Sequence, residues 1–182
     1  QFRHFRIGHF DRDGVRTPMQ WNSTKNAGFS EADPSLLYLP VIEDDTFHYS
    51  KINVEKSEQD EYSLLHWMRR IISIRRQFQV FGRGDFMFTD ADHPSVLSYW
   101  RNYPNENILV VANLSAVPQR TTLLLNKPGY HGILQDLFLG QHIHAEDGRL
   151  EVNLHPFEFL WLAEVKPDEI LVSEDKLVLS ID

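Results

Sequence analysis

Residues 96–113 read V-L-S-Y-W-R-N-Y-P-N-E-N-I-L-V-V-A-N, and this stretch decides the fold of the second half of the chain. Residues 96–101 and 107–113 are rich in β-branched and aromatic side chains, and Pro104-Asn105 separates them. Two such runs on either side of a turn signal are typical of neighbouring antiparallel strands. The stretch therefore predicts a β-structure built from short strands.

The same period of two continues on both sides of this stretch. Breakers such as Pro118, Gly140 and Asp147-Gly148 divide it into short segments. The candidate strands are residues 85–89, 96–101, 107–113, 120–125, 131–136, 141–144, 149–153 and 158–163. Eight short strands at regular spacing predict an all-β antiparallel sandwich over residues 85–165.

Before the strands lies one strongly periodic helical segment. Ser57 followed by Asp60 resembles a capping box, which predicts a helix start there. Gly82 and Gly84 are expected to stop the helix, which we place at residues 57–78. Its apolar stripe comprises Leu64, Leu65, Met68, Ile71 and Ile72, widened by Trp67 and Ile74.

Residues 1–56 are irregular and polar, and their densest part is residues 11–21, D-R-D-G-V-R-T-P-M-Q-W. Acids, arginines and a tryptophan in close succession suit a polar pocket floor, where guanidinium forks orient carboxylates or hydroxyls. An ion-paired surface turn bent at Gly14 is the alternative. A long loop this rich in aromatic residues is expected to form the wall of a site rather than to be disordered.

The blocks at 11–21, 26–30 (N-A-G-F-S), 37–41, 52–54, 63–70, 81–84 and 110–115 (V-V-A-N-L-S) resemble the α-amylase clan, glycoside hydrolase family 13. They are most similar to its trehalose synthase branch. The resemblance implies that residues 1–84 are the last loop and last helix of a (β/α)₈ barrel, so the fragment is mixed α/β overall. It further implies a C-terminal sandwich at 85–165 and a tail or linker at 166–182.

The resemblance also implies a function for the parent enzyme, the interconversion of maltose and trehalose by a retaining mechanism. The three catalytic carboxylates of the family are expected upstream, so this chain alone is predicted to be inactive and to hold no catalytic residue. Arg16 is the first candidate for sugar binding, with Arg12 and Asp13 second, whereas Gln20 and Trp21 are expected to brace the loop. The expected partners are maltose, trehalose or other α-glucosides.

Two other functions stay open at this point. An α-glucosidase or α-amylase-type hydrolase would carry the same loop. A non-catalytic module that binds carbohydrate or simply packs on a barrel would need exposed aromatic rings, and Trp161 is the deciding residue.

Composition excludes several other classes of protein. A net charge of −8 argues against nucleic acid as a partner, because nucleic acids are bound by basic surfaces. The chain has no cysteine, which excludes disulfides and thiol nucleophiles and suits a cytoplasmic protein. The sequence contains no run of 18 apolar residues, the length that a membrane-spanning helix needs, so no membrane span is expected. An exposed helix stripe would favour a homo-oligomer.

Cofactors are not expected in this chain, and calcium is left open for the parent enzyme. His142 and His144 share one face of a strand near Asp147, but two solvent-facing histidines are expected, because zinc sites need three or four converging ligands. Asp85, Asp90 and Asp92 match no EF-hand spacing and are expected in a solvated turn rather than a calcium site.

Overall fold

The computed structural model describes residues 16–165. The chain divides into two compact units between Ser73 and Ile74. We call their described parts, residues 16–73 and 74–165, the N-terminal and the C-terminal unit. Arg12, Asp13 and the predicted tail at 166–182 lie outside the described residues.

The N-terminal unit is irregular as far as residue 53, as the sequence predicts. Short 3-10 turns occur at Lys25–Gly28 and Pro34–Leu36. The second begins at Asp33, whose carboxylate accepts hydrogen bonds from the hydroxyl and the backbone N–H of Ser35. These two bonds hold the pKa of Asp33 below its usual range, and the bond from the Ser35 hydroxyl has the larger effect.

The predicted helix at 57–78 is broken into α1 (Val54–Gln59) and α2 (Leu64–Gln77), with α3 (Val80–Arg83) after them. The capping box at Ser57 is wrong, because the Asn53 side chain caps α1 by accepting the Lys56 N–H at 2.9 Å. Ser57 therefore lies inside α1, and Asp60 ends that helix. Gly82 and Gly84 do not stop α2, which has already ended at Gln77.

The C-terminal unit confirms the predicted antiparallel sandwich. Its strands are β1 (Asp85–Phe88), β2 (Asp90–Ala91), β3 (Val96–Tyr103), β4 (Glu106–Asn113), β5 (Gln119–Leu124), β6 (Gly132–Asp136), β7 (His142–Ala145), β8 (Arg149–Leu154) and β9 (Phe159–Val165). One sheet has the order β1-β3-β4-β9-β6-β7, and the other has the order β2-β5-β8. All the pairings between these strands are antiparallel.

The core of the sandwich lies between the two sheets. Trp100, Leu109 and Leu162 from the larger sheet and Leu123 and Leu150 from the smaller one are fully buried there. The indole N–H of Trp100 donates to the Leu125 carbonyl at 3.1 Å, so this buried ring leaves no polar atom unpaired. Residues that point to the same face of β3, β4 and β8 supply much of this core, which is why the period of two predicted these strands.

Strand β2 was not predicted from the sequence. Asp90 and Ala91 pair with Leu124 and Leu123 and so add a third strand to the smaller sheet. The prediction that Asp90 lies in a solvated turn is therefore wrong, because Asp90 is part of this strand. Asp92 is exposed, yet it accepts hydrogen bonds from the Thr121 hydroxyl and the Thr122 N–H, and these lower its pKa.

A second apolar cluster covers the opposite face of the larger sheet. Val80 of α3 packs with Ile108 and Val110 of β4, and the rings of Phe81 and Trp161 lie 4.5 Å apart. Trp161 is half-buried in this cluster. A sugar-stacking role for the sandwich therefore loses the exposed ring on which it depended.

Candidate substrate-binding loop

The candidate site of the N-terminal unit is the segment from Arg16 to Trp21, which we call the candidate loop. Arg16 is exposed, and the chain turns inward at Pro18, which is buried. Met19 and Trp21 are each 49% exposed. The loop therefore presents a guanidinium and two large apolar side chains to solvent, a combination suited to binding a polar ligand that has an apolar face.

Gln20 anchors the candidate loop to the segment that precedes α1. Its side-chain nitrogen donates to the carbonyls of Phe47 and Ile52, at 3.1 and 2.8 Å. Its own carbonyl accepts the Val54 N–H at 2.9 Å, and the Trp21 carbonyl accepts the Glu55 N–H at 3.0 Å. Gln20 thus braces the loop, as the sequence analysis expected, and holds it against the first turn of α1.

A run of three left-handed residues holds the other side of the loop. Asn26, Ala27 and Gly28 have φ angles of 52°, 60° and 69°. The Ala27 carbonyl accepts the N–H groups of Trp21 and Asn22, at 2.9 and 3.2 Å. A left-handed alanine costs about 1–2 kcal/mol relative to the right-handed region, so the surrounding bonds must enforce this turn.

Asn26 and Gly28 each fit this turn for a definite reason. Asn26 is 4% exposed, and its side-chain nitrogen donates to the carbonyls of Ser30 and Ala32, at 2.8 and 2.9 Å. Gly28 has a φ of 69°, which L side chains rarely adopt, and a Cβ there would also lie 2.5 Å from Oδ1 of Asn22, so the position favours glycine. Sequence reasoning missed this turn, although Asn and Gly are the residues that most readily adopt positive φ.

Aromatic side chains continue along the rest of the irregular segment. Phe29, Tyr38 and Phe47 are between 52% and 85% exposed, whereas His48 and Tyr49 stack with their rings 4.5 Å apart. An exposed aromatic surface of this kind is unusual unless it is covered by a ligand or by protein. The expectation that residues 1–56 form the wall of a site stays a prediction.

The described residues contain no metal centre. Among residues 16–165, no group of three or more His, Cys, Asp or Glu side chains is placed to hold a metal ion. His142 and His144 are both exposed on β7, as expected for solvent-facing histidines.

Comparison with known proteins identifies the family. Residues 3–84 match the catalytic domain of the α-amylases, and residues 86–161 match the C-terminal domain of the maltogenic amylases. The chain belongs to the α-amylase family, and it joins a segment of the catalytic domain to a C-terminal sandwich domain.

The curated relatives that match this chain include trehalose synthases and a glucosidase. The chain is 42% identical over 164 residues to a trehalose synthase of Pimelobacter sp. strain R48. The aligned region covers 87% of the chain and 28% of that protein. The chain is 37% identical over 164 residues to a trehalose synthase of Thermus thermophilus, which covers 89% of the chain and 17% of that protein. A probable oligo-1,6-glucosidase 2 of Bacillus subtilis strain 168 is 38% identical over 147 residues, 81% of the chain and 24% of that protein. The chain thus spans less than a third of these relatives.

Solved structures support the same fold. An isomaltulose synthase of Klebsiella sp. LX3 has a TM-score of 0.60 at 27% identity, which covers 85% of this chain and 26% of that one. The trehalulose synthase MutB of Pseudomonas mesoacidophila MX-45 has a TM-score of 0.60 at 28% identity, with the same coverage. Separately, no helix within residues 16–165 has both the length and the hydropathy that crossing a membrane requires.

Proposed function

We propose that this chain is a C-terminal portion of a trehalose synthase, which interconverts maltose and trehalose. The observation that carries the proposal is the 42% identity to a trehalose synthase over 164 residues, because it runs through both the loop-bearing unit and the sandwich. The relative from Thermus thermophilus is likewise a trehalose synthase.

In the proposed enzyme, the chain binds substrate and excludes water but supplies no reacting group. Retaining transfer between α-glucosides uses two carboxyl groups about 5–5.5 Å apart, one of which forms a covalent glucosyl-enzyme. An isomerase must hold the released glucose while that intermediate exists and keep water away from it. An exposed, aromatic and braced loop suits this task better than a bare surface turn.

Within this proposal, Arg16 binds a sugar hydroxyl or orients the nucleophilic carboxylate, and Arg12 and Asp13 assist it. Two facts support Arg16. It is exposed, and it lies two residues before the buried Pro18, where the braced part of the loop begins. A guanidinium is well suited to such a site, because its fork of N–H donors matches hydroxyl and carboxylate oxygens.

We also propose the division of the chain that accompanies this function. Residues 1–84 would complete a catalytic barrel, residues 85–165 would form the C-terminal sandwich, and residues 166–182 would be a tail or linker. The family matches end at residue 84 and begin again at residue 86, which supports a boundary there. The compact units divide earlier, between Ser73 and Ile74, because α3 packs on the larger sheet. The cysteine-free sequence suits the cytoplasm, where we place the enzyme.

The test is an Arg16→Ala variant of the full-length enzyme assayed on maltose. We expect kcat/KM to fall at least about 100-fold, or roughly 2.7 kcal/mol of lost transition-state stabilisation. This chain incubated alone with maltose or a chromogenic α-glucoside should react no faster than buffer. A folded Arg16→Ala enzyme with wild-type kinetics would show that Arg16 has no part in the site.

Product analysis in the same assay separates the two enzyme activities. A trehalose synthase converts maltose mainly to trehalose, whereas a hydrolase releases only glucose. Glucose as the sole product would replace the proposal with an α-glucosidase, the activity favoured by the similarity to an oligo-1,6-glucosidase.

A further inference from the structure

We infer that Asn26 is a positioning residue for the proposed activity. Its side chain holds the left-handed turn at residues 26–28, and this turn holds the backbone of Trp21. The inference rests on the proposed function, because it takes the candidate loop to be part of a glucoside site. Asn26 itself touches no substrate in this account.

The first step is the link from Asn26 to the chain that follows it. Both hydrogens of its side-chain amide are used, one by the Ser30 carbonyl at 2.8 Å and the other by the Ala32 carbonyl at 2.9 Å. Because Asn26 is 4% exposed, water cannot replace these bonds without opening the turn. The side chain therefore ties residues 30–32 to the turn.

The second step is the link from the turn to the candidate loop. The residue after Asn26 is Ala27, whose carbonyl accepts the N–H groups of Trp21 and Asn22. Asparagine tolerates positive φ, but alanine does so only when its surroundings enforce it. If Asn26 released its partners, Ala27 would relax toward negative φ, and its carbonyl would turn away from Trp21.

The turn fixes the backbone of Trp21 beneath its ring. The backbone of Trp21 is bonded on both sides, by Ala27 through its N–H and by Glu55 through its carbonyl. Within residues 16–165 its ring is 49% exposed, so the bracing does not bury the indole among the described residues. A fixed backbone beneath a half-exposed ring is the arrangement that presents an aromatic face to a ligand at a defined angle. The ligand class that fits is the apolar face of a glucosyl ring.

The experiment compares Asn26→Asp with Asn113→Asp in the full-length enzyme. Asn113 is a matched control, because it is 2% exposed and its side-chain nitrogen also donates to two carbonyls, those of Val117 and His155 at 2.8 and 2.9 Å. It lies in the sandwich, outside the candidate loop. Both variants lose two buried hydrogen bonds, so both should lower the Tm. Only Asn26→Asp should lower kcat/KM on maltose by about tenfold or more, mainly by raising KM, since it releases the turn that holds the Trp21 ring in place for bound substrate.

A second variant covers the case in which Asn26→Asp does not fold. Asn26→Gly keeps the left-handed conformation and introduces no charge, but it loses both side-chain bonds. Hydrogen exchange of the Trp21 and Asn22 amides in this chain should become at least about tenfold faster than in the wild type, because their acceptor is no longer held. This measurement needs no substrate.

Two results would overturn the inference. One is unchanged amide exchange at Trp21 in Asn26→Gly, and the other is an equal kinetic loss in Asn26→Asp and Asn113→Asp. An enzyme without activity on maltose would overturn the proposed function instead, and the exchange measurement would still decide whether Asn26 fixes Trp21.

Discussion

Replacing Gly84 by alanine should destabilise the C-terminal unit by about 2–4 kcal/mol. A Cβ atom there would lie 2.6 Å from the Val80 carbonyl oxygen and 2.9 Å from that of Asn102, and neither backbone group can rotate away. Overpacking of this kind costs about 1–3 kcal/mol. The Gly84 N–H also bonds the Val80 carbonyl at 2.9 Å, and its loss adds about 0.5–1.5 kcal/mol.

The assay is urea unfolding of this chain, followed by tryptophan fluorescence. Trp100 is fully buried between the sheets and reports on the sandwich. With an m-value of about 2 kcal/mol/M, the predicted loss lowers the urea midpoint by about 1–2 M. Near-UV circular dichroism of the same samples checks that the native packing is otherwise retained.

Gly82→Ala is the matched control. Gly82 lies in the same short helix, α3, but nothing lies within 4 Å of a Cβ placed on it. Glycine inside a helix is less favourable than alanine by about 0.5–1 kcal/mol, so this variant should be neutral or slightly stabilised. A Gly84→Ala midpoint within error of Gly82→Ala would refute the steric argument.

Two further predictions concern pH and self-association. Glu164 is half-buried, which alone would raise its pKa, but the Asn107 amide at 2.6 Å and the Lys127 ammonium at 3.5 Å bring its pKa below the ordinary value. The ionised Glu164 therefore contributes its full stability above about pH 4.5, and this contribution is lost as the pH falls through the folded-state pKa. We expect the urea midpoint of Glu164→Gln to fall less steeply than that of the wild type as the pH is lowered. A midpoint that falls as steeply as in the wild type would contradict this. Leu64, Met68 and Ile72 of α2 are 45–73% exposed among the described residues, so sedimentation of this chain by itself should show self-association that Met68→Asp weakens. A wild-type monomer that the substitution leaves unchanged would show that the stripe makes no contact.

Local sequence pattern predicted most of the sandwich correctly. Each of the eight candidate strands corresponds to an observed strand, with bounds that differ by at most two residues. This succeeded because alternation of exposed and buried residues is a property of each strand by itself, as in β8, where burial alternates at every residue. The pairing order was not predicted, because β9 lies between β4 and β6, which come much earlier in the chain.

Helix ends and the short strand needed the tertiary structure. Asn53 and Ser57 are both good N-cap residues, and the sequence does not say which one will find a free N–H group. In the fold, Asn53 is buried, and its side-chain nitrogen also donates to the Tyr49 carbonyl, which selects it. Strand β2 has only two residues, too few for any period, and exists because β5 lies beside it.

The candidate loop shows the same division. Its residue types allowed a pocket floor or an ion-paired surface turn, and the family resemblance made Arg16 the first candidate for sugar binding, which stays a prediction. The bracing role of Gln20 was expected. The left-handed turn was not expected, because alanine in the middle of Asn26–Gly28 opposes it and only hydrogen bonds to residues 21, 22, 30 and 32 enforce it.

The sequence by itself determined the strands, the helical stripe and the residue types of the loop. Each of these depends on neighbouring residues along the chain, whose spacing is set by covalent geometry. Only the tertiary structure decided which asparagine caps α1, why Gly84 rather than Gly82 must be glycine, and how Trp21 is held half-exposed. Each of these depends on a hydrogen bond or a close approach between backbone atoms, and the sequence records which residues are present but not which atoms folding will bring together.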